Sequence, residues 1–285
     1  MPSDSRQRRR VSRTGGNVLS VKRDALTQPY VLTGDPDASL IATAIHAGHD
    51  LRPEVAAILT LDEDVRLREE DPFTDRIAAC ADAQAYVSRS RFEVDLNRGR
   101  DQAVYRTPDD SWGLEIWADE LPTEVVEGSL EVYDAFYRDL GRHLDQLAQR
   151  GPFVVYDVHS YNYRRGGPEE PGDPEDETPD INVGTKSLSG EWRAVVDTFI
   201  GTLDGREVNA RPLDVRENVR FKGANLSHWV AERYGGVGCT LALEFKKTFM
   251  DEWSGGVDES HLGELTAALG DSIPAVLDAV RSAAP

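Results

Sequence analysis

Three short runs constrain this chain more than any other feature. LIATAI (40–45), FVVYDV (153–158) and TLALEF (240–245) are apolar at almost every position. A strand with one wet face alternates in polarity, whereas a strand covered on both faces reads as a nearly continuous apolar run. Between the first two runs lies LPTEVVEGSLEVYDAFYRDLGRHLDQLAQ (121–149). There Val126, Leu130, Tyr133, Tyr137, Leu140, Leu144 and Leu147 recur at threes and fours, the spacing of a helix with one core-facing side. Residues 51–84 read as largely helical with a charged turn near Glu69 to Asp71, and strand character returns over 85–96. Residues 189–203, 225–234 with Asn225 as a helix N-cap, and the C-terminal stretch from about residue 260 read as further helices. Strands alternating with helices predict an α/β fold: one domain with a mixed, mostly parallel sheet flanked by helices.

The organisation follows from composition. Residues 1–20 are polar and Arg-rich without periodicity, which predicts a flexible basic tail, and residues 21–285 form the folded domain. An apolar content of 39% is enough to build a core. The segment GGPEEPGDPEDETPD (166–180) holds four prolines and seven acids, so it is a solvated excursion or a flap over a site. The formal charge of −19 excludes nucleic acid and anionic membrane as main partners, because phosphate binding needs a cationic face. No apolar run approaches the roughly 20 residues that span a bilayer. The basic N-terminus is followed by no apolar signal region, which predicts a cytoplasmic protein. Two cysteines, Cys80 and Cys239, are too few for a disulfide framework or a cysteine zinc site.

In an α/β sheet, ligands gather at the carboxyl ends of strands, and four polar stretches fall there. His46-Ala-Gly-His49 places two imidazoles three positions apart, with Gly48 allowing a tight turn. Asp157 and His159, two apart on a strand, share a face, and a ligating imidazole commonly has its second nitrogen held by a carboxylate such as Asp157. Glu244 follows five uncharged residues, and a desolvated glutamate suits acid–base work near neutrality. Asp95-Leu-Asn97-Arg98 offers a guanidinium fork and an amide for a carboxylate. Each stretch alone has a plain alternative: a surface turn, a satisfied core histidine, a structural ion pair, an ordinary strand end. Together they point to a catalytic zinc site with three protein ligands and an open position, supplied by His46, His49 and His159. The sequence predicts exposed helical or loop segments for His143 and His261 and a helix for His228, and so sets them aside as ligands.

VDLNR, DVHSY and LALEF resemble the carboxylate-binding, third-ligand and catalytic-glutamate motifs of zinc carboxypeptidases and related deacylases. The chain is more similar still to the N-formylglutamate amidohydrolase family. HAGHDLRP, DPFTDR (71–76), DLNR, the DxHS phrase and ENVRFKGANLSHWVAERYGG occur in that order, between about residues 39 and 250. The resemblance implies a zinc carboxypeptidase-like (phosphorylase/hydrolase-like) sheet. It also implies Zn2+ as cofactor and a small N-acyl amino acid, such as N-formylglutamate, as substrate. Glu244 would be the catalytic base, His46, His49 and His159 the metal ligands, and Asp157 the carboxylate behind His159. Asn97 and Arg98 would hold the substrate α-carboxylate. Arg164, Arg220 and Lys222 are the leading candidates for a second substrate contact, among Arg89, Arg91, Arg100 and Arg165. The departure is at the second ligand: where relatives carry glutamate this chain has His49, with Asp50 and Glu54 as alternatives. A carboxypeptidase-like peptidase or deacylase and a non-catalytic binding protein that kept the fold are the competing readings. The sequence sets no oligomeric state.

Overall fold

The apolar runs become the middle of a seven-stranded sheet in a computed structural model that describes residues 28–283. The basic tail expected at 1–20 lies outside the described residues. The strands are β1 (Tyr30–Gly34), β2 (Leu40–Ala44), β3 (Ala83–Val87), β4 (Phe153–Tyr161), β5 (Ile181–Gly184), β6 (Glu207–Val208), β7 (Arg211–Pro212), β8 (Val215–Glu217) and β9 (Gly238–Lys246). The helices are α1 (Pro53–Ala56), α2 (Glu63–Glu69), α3 (Thr74–Ala78), α4 (Thr123–Arg150), α5 (Arg193–Leu203), α6 (Asn225–Tyr234) and α7 (Glu259–Ala283). The sheet order is β1-β3-β2-β4-β9-β5-β8, and β6 and β7 make a separate small hairpin. The inner strands β3, β2, β4 and β9 are parallel to one another. Antiparallel pairing of β1 to β3 and of β5 to β9 makes the sheet mixed. The chain leaves β2 for β3 on one flank and later returns to β4 on the other. That reversal of strand order opens a crevice at the carboxyl ends.

Period-two alternation assigns each strand residue to one of two cores. Val154, Tyr156, Val158, Leu241, Leu243 and Phe245 pack against α5 and α7 through Val195, Phe199, Leu262 and Leu269. Phe153, Val155 and Ile41 pack on the other side against Phe136, Leu140 and Leu144 of α4 and Leu226 and Val230 of α6. Each fully buried leucine in that α4 stripe contributes roughly 1.5–3 kcal/mol over an exposed one. Thr43, Asp157, His159 and Glu244 continue this second face toward the carboxyl ends, where the apolar cover stops.

Three local expectations differ. Residues 51–84 form three short helices and the start of β3: the expected turn at Glu69 to Asp71 separates α2 from α3, where Phe73 has a left-handed φ of 68°, and an unexpected break over 57–62 separates α1 from α2. Strand character ends at Val87, because Asp50 takes over the pairing: its N–H donates to Ser88 O and its carbonyl accepts from Ser90 N. Phe92, Val94 and Leu96 are buried from a loop instead. Asn225 is the first helical residue of α6 and does not cap it. Its amide donates to Tyr137 Oη at 2.7 Å, and Asn97 Oδ1 accepts the free Leu226 N–H at 3.1 Å.

Candidate active site

Three ligand-type side chains converge at the crevice. His46 lies two residues past β2, His159 near the end of β4, and Asp71 just after α2. One donor atom from each lies within 4.8 Å of the others, and all three residues are buried. His159 Nδ1 is 3.0 Å and His46 Nδ1 3.4 Å from Asp71 Oδ2. The two rings stand 4.9 Å apart at 62°, so their Nδ1 atoms address one point without stacking. The opposite nitrogens are held from behind: His46 Nε2 by Asp95 Oδ1 at 2.7 Å, and His159 Nε2 by Asp157 Oδ1 at 3.1 Å. Asp157 is itself fixed by Thr43 Oγ1 at 2.8 Å. Burial works to raise the Asp71 pKa, but hydrogen bonds from His159 and His46 outweigh it and hold the carboxyl well below the usual range. Two imidazole nitrogens backed by carboxylates, facing an ionised aspartate, are a donor set that fits a divalent ion.

His49 does not join this set. Its Nδ1 bonds Glu70 Oε2 at 2.5 Å and its Nε2 lies 3.0 Å from Arg66 Nη2. The cause is the turn itself. Gly48 packs so closely on the chain leaving β3 that an added Cβ would sit 2.2 Å from the Ser88 carbonyl carbon. The turn's tightness therefore docks the segment onto Ser88 and sends His49 outward. Asp50 continues the same docking, and Glu54 pairs with Arg52 at 2.9 Å. The structure places Asp71, from the DPFTDR phrase, where the sequence pointed to His49.

Glu244 stands directly across the β4–β9 ladder from His159 and across from Asn182 of β5. Burial pushes its carboxyl up to about 7; the charges of Asp71 and Asp157 add to that rise, and His159 and His46 oppose it. His46, Asp71, His159 and Glu244 all line one cavity of about 240 Å³. Its walls include Arg91, Asn97, Arg98, Trp112, Tyr161, Arg165, Phe221 and Lys247.

Of the expected substrate contacts, Asn97 and Arg98 line this cavity. Asn97 Nδ2 lies 3.2 Å from His159 Nε2. When Nε2–H is committed to Asp157, the ring offers that amide no acceptor, and the amide remains available to a ligand. Arg98 lies over the Tyr105 ring at 4.6 Å and donates to Asp110 O at 2.7 Å. Arg164 turns away to Asp251 at 2.5 Å, and it is the next residue, Arg165, that faces the cavity. Arg220 pairs with Asp173 of the acidic segment at 2.6 Å, leaving Phe221 as the wall, and Lys222 is exposed outside it. The acidic segment is tied down by Arg220, Arg216 and Lys246 beside the cavity and contributes nothing to its lining.

Asp95 does more than the sequence indicated. Fully buried, it accepts from His46, from Arg91 Nη2 at 2.8 Å, from the Asn97 N–H at 2.8 Å and from the Tyr105 hydroxyl. One carboxylate thereby orients a ligand-type histidine and a cavity arginine together.

A mixed α/β sheet whose carboxyl edge gathers two histidines, an aspartate and a desolvated glutamate belongs with the hydrolases. Residues 38–250 match the sequence model of FGase, N-formylglutamate amidohydrolase. The chain belongs to the N-formylglutamate amidohydrolase family, and it is an amidohydrolase. The fold is similar to the crystal structure of N-formylglutamate amidohydrolase from Ralstonia eutropha JMP134, at a TM-score of 0.69 and 16% identity over 89% of this chain and 98% of that one. It is similar also to the gene product Atu2144 from Agrobacterium tumefaciens, at a TM-score of 0.63 and 16% identity over 91% and 97%. No curated protein matches the chain in sequence. No described helix is long and apolar enough to cross a membrane.

Proposed function

We propose that this protein is a zinc-dependent amidohydrolase that releases the acyl group, formyl in the first instance, from an N-acyl amino acid such as N-formylglutamate. One observation carries the reading: Glu244, with its raised pKa, lies opposite His159 at the wall of the cavity that His46 and Asp71 also line. His46, Asp71 and His159 would hold the ion. Zinc there would act as a Lewis acid and make water acidic enough to lose a proton near neutrality.

The chain's own groups account for the rest. Glu244 takes the proton from the attacking water as the C–O bond forms. It then passes that proton to the amide nitrogen as the C–N bond breaks, so the products are formate and a free amino acid. A carboxyl poised near 7 can do both within one turnover. Asn97 and Arg98 hold the α-carboxylate, which sets the acyl carbon toward Glu244. Arg165, 3.4 Å from Glu69 and only loosely engaged, supplies a second cation for a side-chain carboxylate. A cavity of about 240 Å³ suits a small acyl amino acid better than a peptide strand.

A panel of N-formyl amino acids and short peptides, assayed with and without added zinc, tests this. Metal-dependent turnover of the formylated acids is expected, fastest for those with a free α-carboxylate. Cleavage of peptides alone would overturn the reading. Arg98→Lys keeps the charge and loses the fork. It should raise KM about tenfold or more, the loss of a charge-assisted hydrogen bond worth roughly 1.5–3 kcal/mol, with zinc content unchanged. Loss of zinc in that variant would remove Arg98 from the substrate role.

A further inference from the structure

Lys247 directly follows β9 and is 1% exposed, yet it lines the active-site cavity. A buried ammonium is costly unless its protons find acceptors. This one donates to Arg68 O at 2.7 Å, Glu70 O at 2.6 Å and Asn162 Oδ1 at 2.9 Å. An ammonium has three protons, and these three acceptors take them all. None is left for a substrate, so contact with the cavity does not make Lys247 a catalytic group.

The acceptors show what it does instead. Arg68 and Glu70 end the segment that runs into Asp71. Asn162, the residue after β4, adds a second tie by donating to Arg68 O at 2.8 Å. The backbone before Asp71 is thus fastened to the ends of the two strands that carry His159 and Glu244. Beyond Asp71 the chain turns through Phe73 in a left-handed conformation, which a bulky residue keeps only where its surroundings over-determine it. Asp71 itself donates its N–H to His46 O at 3.0 Å, and its carbonyl accepts from Thr74 Oγ1 at 2.6 Å. The neighbouring Lys246 has a different task. It is part-exposed, donates to Thr178 O at 3.1 Å and lies over the Tyr163 ring.

We infer that Lys247 is a positioning residue: it sets the Asp71 carboxylate against His46 and His159 and thereby governs how tightly the site holds a divalent ion. The inference rests on the metal reading above. It is tested on the full chain with zinc alone, titrated against a chromophoric chelator. Lys247→Met should weaken zinc by about 10–100-fold, the range for lost outer partners of a metal site, with an unchanged circular dichroism spectrum. Lys246→Met should keep the parent's affinity. A folded Lys247→Met that also keeps it would overturn the inference while leaving the metal reading standing. If Lys247→Met does not fold, Lys247→Gln decides, since it keeps a polar donor in the site but its shorter amide, with two protons, cannot hold Arg68 O, Glu70 O and Asn162 Oδ1 together. Weakened zinc supports the positioning role, and parental zinc overturns it. A parent chain that takes up no zinc overturns the metal reading and this inference together.

Discussion

Glu244→Gln is expected to retain zinc and fold while losing at least about 10²-fold in turnover, the lower range for lost acid–base help. The substitution keeps shape and volume, and its amide cannot take up the proton. Glu244 is poised because the second face of the sheet loses its apolar cover only at the carboxyl end, leaving the carboxyl desolvated but open to the cavity. Burial, with the charges of Asp71 and Asp157, holds it up to about 7 against an ordinary 4.5. The sign for stability follows. A carboxyl whose folded pKa is raised binds its proton more tightly folded than unfolded, so it weakens the fold as pH climbs from about 4.5 to about 7. Metal-free Glu244→Gln should therefore keep stability that the metal-free parent loses across that window, read as a smaller fall in urea midpoint. Turnover near the parent's in the zinc-loaded variant would remove Glu244 from the base role.

Legibility in the sequence tracked how local the cause was. β2, β4 and β9 are plain because burial on both faces forces continuous apolar runs. α4 is plain because one stripe faces the core over its whole length. The outer strands were not: β5 is four residues long behind an acidic segment, and β8 is three. The site divides in the same way. His159 and Glu244 stand out because an ionisable group at the end of an apolar strand is costly without a reason. Asp71 does not stand out in LREEDPF, where three acids are consecutive. Only the folded chain separates them: Glu69 faces Arg165, Glu70 bonds His49 and Ser90, and Asp71 turns to the two histidines. Arg164 and Arg165 differ by one position on a segment that has left the strand, where period-two reasoning no longer says which one faces inward.

Asp71→Asn should weaken zinc more than about 100-fold, beyond the range typical of outer partners, whereas His49→Gln should change it by no more than a few-fold. Asparagine keeps the size of Asp71 and one oxygen but loses the charge that a divalent ion needs from this donor set. The carboxyl is ionised because His159 and His46 stabilise its anion, so an ion entering the site would displace their Nδ1 protons and keep the Asp71 charge as its own partner. His49 is engaged elsewhere. Its Nδ1–H donates to buried Glu70, whose charge partner is Arg66, and its removal costs stability, roughly 1 kcal/mol for a part-exposed hydrogen bond to a charged group. The two variants should thus separate: one folded and metal-poor, the other metal-replete with a lower melting temperature. Zinc titration and thermal melts on both read this directly. The opposite order, with His49→Gln metal-poor and Asp71→Asn metal-replete, would return the second ligand to the HAGH turn and require the 46–49 segment to leave its packing on Ser88.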